Sequence, residues 1–66
     1  MCLSTVYELG AQGDKRLICE HTSSLRVQGD RIVLVDLMGS EVSVPGTVQS
    51  VDLVKNTIFI SPAVVP

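Results

Sequence analysis

Along the chain, apolar residues come in runs of four to eight rich in Val, Ile, Leu and Thr. Short polar marks separate them: GAQGD at 10–14, QGD at 28–30, MGS at 38–40, PG at 45–46, VKN at 54–56 and SP at 61–62. Runs of that length bounded by Gly, Pro and Asn are the mark of strands, because β-branched residues fit a pleated surface and the punctuating residues accept turn conformations. The pattern predicts strands near 2–9, 15–20, 24–28, 31–37, 41–44, 47–53 and 57–61. No stretch keeps helical periodicity over ten residues.

Two segments read as hairpins. In LRVQGDRIVLVDL, Leu25 and Val27 alternate with Arg26 and Gln28, a Gly-Asp pair at 29–30 follows, and an apolar run resumes. Such a pair between alternating runs is a tight-turn signal. Ile32 and Leu34 fall on one side of the second strand and Val33, Val35 and Leu37 on the other, so this strand is expected to be central or to lie at a subunit contact. In TVQSVDLVKNTIFIS, Lys55 and Asn56 fill the turn and Ile58 and Ile60 share a face. EVSV places Val42 and Val44 inward, Glu41 and Ser43 outward. Strands at this spacing in so short a chain predict an all-β fold, a small SH3-like or OB-like β-barrel of five to seven short antiparallel strands, with residues 1–66 as one domain. The tail SPAVVP is expected to pack as an extended strap or to fray.

Size sharpens the picture. The chain has 66 residues, 45% of them hydrophobic, and a domain of about 60 residues buries only roughly 60% of the surface its unfolded chain exposes. Cores of this size commonly draw on a disulfide, a metal or oligomerisation. Some of the apolar surface is therefore expected to face a partner or a second copy.

Charge and chain ends narrow the function classes. Five basic residues stand among seven acidic ones, for a net charge of −2 and a pI near 5.0. There is no basic stripe, and Tyr7 and Phe59 are the two aromatics. Phosphate neutralisation and base stacking thus have little to work with, and no nucleic-acid partner is expected. No apolar run reaches the roughly 20 residues of a membrane span, and the start lacks the form of a secretory signal. The reading is a cytoplasmic protein with no membrane partner, in which Cys2 and Cys19 are thiols or metal ligands rather than a structural disulfide, a Cys2 to Cys19 bridge being the open alternative.

Catalytic constellations are poor. His21 stands two residues from Cys19, a spacing that on a regular strand sends both side chains to one face, yet no Asn or Asp supplies an orienting third group. Gly10, Gly13 and Gly29 precede no helix that would cradle a phosphate. The expectation is a protein that is not an enzyme.

Cys2 stands apart. Removal of Met1 would leave a cysteine whose α-amine and thiol sit on adjacent carbons and close a five-membered chelate ring around a metal. The neighbouring ammonium lowers the thiol pKa toward the thiolate that metals need. With Met1 retained, the thiolate can bind beside neighbouring main-chain nitrogens. Two such ends across a two-fold axis would make a nitrogen- and sulfur-rich site suited to square-planar Ni(II) or Cu(II).

Met1-Cys2, the segment GDRIVLVDLMGSEVSVPG with its Pro45-Gly46 pair, and the hairpin VDLVKNTIFI with Val51, Asp52 and Leu53 together resemble the CooT-type small nickel-binding proteins associated with carbon monoxide dehydrogenase maturation. The resemblance spans nearly the whole chain. It implies an SH3-like barrel homodimer that binds Ni(II) through Cys2, with the main-chain nitrogens of Cys2 and Leu3 as further donors, and that serves a client nickel enzyme. It assigns nothing to Cys19 or His21. The HypC/HupF maturation chaperones also begin Met-Cys, but MCLSTVYE lacks the Pro-Gly pair that follows their cysteine, and no C-terminal helix is evident. A HypC-like chaperone and a small RNA-binding barrel are the alternative readings.

Overall fold

The structure, a computed structural model, describes residues 3–62. Five strands account for nearly all of them: β1 (Ser4–Leu9), β2 (Lys15–Gln28), β3 (Arg31–Asp36), β4 (Glu41–Asp52) and β5 (Thr57–Pro62). The all-β expectation holds, and among the described residues there is no helix. Neighbouring strands pair in chain order, and β1 also pairs with β5, so the sheet closes into a barrel. Four of the ladders are antiparallel, whereas β1 and β5 run parallel, with Val6 beside Ile58 and Tyr7 beside Phe59.

The seven runs become five strands because two pairs of them are single, bent strands. Runs 15–20 and 24–28 join as β2 through His21, whose φ of 52° lies in the left-handed region, and through a register shift between Thr22 and Ser24. An extra residue of this kind breaks the alternation and bends the strand. Runs 41–44 and 47–53 join as β4 through Pro45 and Gly46. Gly46 has φ 146°, and a β-carbon there would collide with the carbonyl oxygen of Ser61. Both long strands thereby serve two neighbours in turn: β2 pairs first with β1 and then with β3, and β4 first with β3 and then with β5.

The Gly-Asp hairpin forms where the sequence places it. Gln28 and Arg31 face each other across a two-residue loop, and Gly29 supplies the positive φ of 59° at its first position. That is the glycine placement of a type II′ turn. The β3–β4 and β4–β5 turns share another device, an aspartate at the strand end that accepts from main-chain amides ahead of it. Asp36 Oδ1 accepts from Met38 and Ser40, both at 2.9 Å, and Asp52 Oδ1 from Val54 at 3.0 Å and Lys55 at 2.9 Å. Such side-chain bonds replace the ladder bonds that a turn gives up.

The core is small and aliphatic. Val6, Ile32, Leu34 and Ile60 are fully buried, Cys19 and Ile58 complete the cluster, and Ile18, Leu25, Val44 and Val48 pack around it. Both halves of β2 and of β4 contribute, which is why each must bend. β3 lies between β2 and β4, and Val33, on the face opposite Ile32 and Leu34, is buried as well. The central placement expected from two apolar faces is thus realised. Val44 faces the core as expected, whereas Val42, on the same side of its strand, is 39% exposed.

Candidate functional site

The start of β1 meets three other elements at one corner of the sheet. Ser4 pairs with Thr22, Thr5 pairs with Thr57, and the amide of Thr5 donates to the carbonyl of Asn56 at 2.9 Å. Thr22 in turn lies opposite Asp36 at the end of β3, and the Leu37 amide donates to the His21 carbonyl at 2.9 Å. Ser4, Thr22, Ser23, Ser24, Leu25 and Ile58 line a recess of about 150 Å³ at this corner. Its walls are largely hydroxyl-bearing because the bend in β2 brings three such residues in succession to the place where β1 begins.

Two of those hydroxyls are already engaged. Thr22 Oγ1 donates to the Cys19 carbonyl at 3.4 Å, and Ser23 Oγ lies 3.0 Å from the Val35 carbonyl and 3.2 Å from that of Asp36. The Ser23 contacts hold the extra residue of β2 against β3. No buried side-chain polar atom lacks a partner among the described residues.

Leu3 is half-buried and leads directly into this corner. Cys2, on which the metal expectation rests, lies outside the described residues, as do Met1 and the last four residues of the tail, Ala63 to Pro66. The structure does separate Cys19 from His21. Cys19 is a core residue, 8% exposed, with its thiol 3.6 Å from the Glu20 carbonyl, whereas His21 is exposed. The shared face expected from their spacing is lost because His21 adopts positive φ, and the next inward residue is Thr22. Nothing in the 19–21 pattern signals that turn, since histidine is an ordinary strand residue. Among the described residues no three His, Cys, Asp or Glu side chains gather where they could hold a metal ion.

The aromatics are also spoken for. Tyr7 and Phe59 stack with ring centroids 5.8 Å apart, and Lys15 Nζ lies 4.5 Å from the Tyr7 ring centroid. Among the described residues no helix is long and apolar enough to cross a membrane.

Fold and corner together define a small, closed all-β protein with a hydroxyl-lined recess where the chain enters its first strand. Residues 1–61 match the family model of CooT, described as CO dehydrogenase accessory protein. The chain belongs to that family. A crystal structure named as a candidate CooT from Carboxydothermus hydrogenoformans has the same fold, with a TM-score of 0.86 at 14% identity, covering 96% of this chain and 100% of that one. No curated protein matches the chain.

Proposed function

We propose that this chain is a nickel-binding accessory protein for carbon monoxide dehydrogenase or a related nickel enzyme, working in the cytoplasm. In this reading an SH3-like barrel forms a homodimer, and the cargo ion, Ni(II), is held by Cys2. The observation that carries it is the match to the CooT family over a span that includes Cys2. The chemistry of the remaining donors supports the same residue. Cys19 is enclosed in the core, so Cys2 is the thiol left to bind a metal without dismantling the fold.

A thiolate with the main-chain nitrogens of Cys2 and Leu3 makes a nitrogen-sulfur donor set of the kind Ni(II) takes in tetragonal geometry. Leu3 is tied closely to β1, which limits how far those donors can wander from the Ser4 corner. In this reading the barrel supplies a stiff support, and a set of three protein donors leaves a coordination position open for transfer. This is the opposite of a structural site, where four protein ligands close around the metal.

Titration of the purified protein with Ni(II), followed through thiolate-to-metal charge-transfer absorption, tests the proposal. Wild type is expected to saturate, and Cys2→Ser to lose the band. An undiminished titration in Cys2→Ser removes Cys2 from the site. Mass spectrometry of the intact protein shows whether Met1 is removed, and light scattering with and without nickel reads the homodimer.

A further inference from the structure

We draw no further inference here: the strongest candidate, the row of Leu17, Tyr7 and Phe59 side by side on β2, β1 and β5, on the sheet face opposite the core, is an apolar surface patch, and nothing in the structure shows what covers it.

Discussion

Arg31 grips Ser43 across the β3–β4 ladder: its Nε donates to Ser43 Oγ at 2.9 Å and its Nη2 to the Ser43 main-chain carbonyl at 3.1 Å. One side chain thus satisfies an outward main-chain acceptor and places a cation along an edge that Pro45 already interrupts. Arg31→Ala is expected to cost about 0.5–1.5 kcal/mol, the ordinary worth of exposed bonds of this kind. It also unmasks the Ser43 carbonyl. Urea unfolding reads the first effect, and light scattering against concentration reads the second as increased self-association.

Gly46 is the joint of β4. Its φ of 146° and the nearness of the Ser61 carbonyl leave no room for a β-carbon. Gly46→Ala is expected to destabilise by about 1–3 kcal/mol from backbone strain, with further loss as Ser61 is pushed from the β4–β5 ladder. Gly39 also has positive φ, 88°, but nothing lies within 4 Å of a β-carbon there. Gly39→Ala should therefore cost less than Gly46→Ala in the same thermal melt, and equal costs would contradict this account of the joint.

Leu34 is fully buried at the centre of β3. Truncation to alanine removes transfer energy and leaves a cavity, for a loss of about 2–5 kcal/mol. A core of this size seldom supplies more than about 3–5 kcal/mol. Leu34→Ala is accordingly expected to be largely unfolded at 37 °C by circular dichroism.

Cys19 packs in the core and Cys2 is proposed to hold metal, so the two thiols should behave differently. Cys19→Ala is expected to lower stability by on the order of 1 kcal/mol and to leave the nickel charge-transfer band in place. In nickel-free native protein carrying Cys2→Ser, a thiol reagent should react slowly with the remaining cysteine and rapidly once urea unfolds the chain. Fast reaction in the native state would contradict the burial of Cys19.

Much of the fold is legible in the order of residues. Alternation in LRVQ, the Gly-Asp pair and the two-sided apolar run from Ile32 to Val35 define the β2–β3 hairpin, and the pairing of Gln28 with Arg31 follows them. Less legible are the places where a strand continues through what resembles a break. Pro45-Gly46 has the composition of a turn, and the stretch from His21 to Ser23 that of a short connection, yet both are bends inside long strands. The separation of Cys19 from His21 is a consequence of the second bend, and a spacing rule built on regular strands misses it.

The amino-acid order by itself determined that this chain is all strand, where its tight turn lies, and that a cysteine stands at position 2, because periodicity, glycine placement and residue identity are local properties. Only the closed sheet decided that seven runs are five strands, that β1 and β5 run parallel, and that Arg31 and Pro45 come together along one exposed edge of β4. Those features depend on which strands meet after the bends, and a chain of 66 residues closes a core of this size only if β2 and β4 each serve two neighbours.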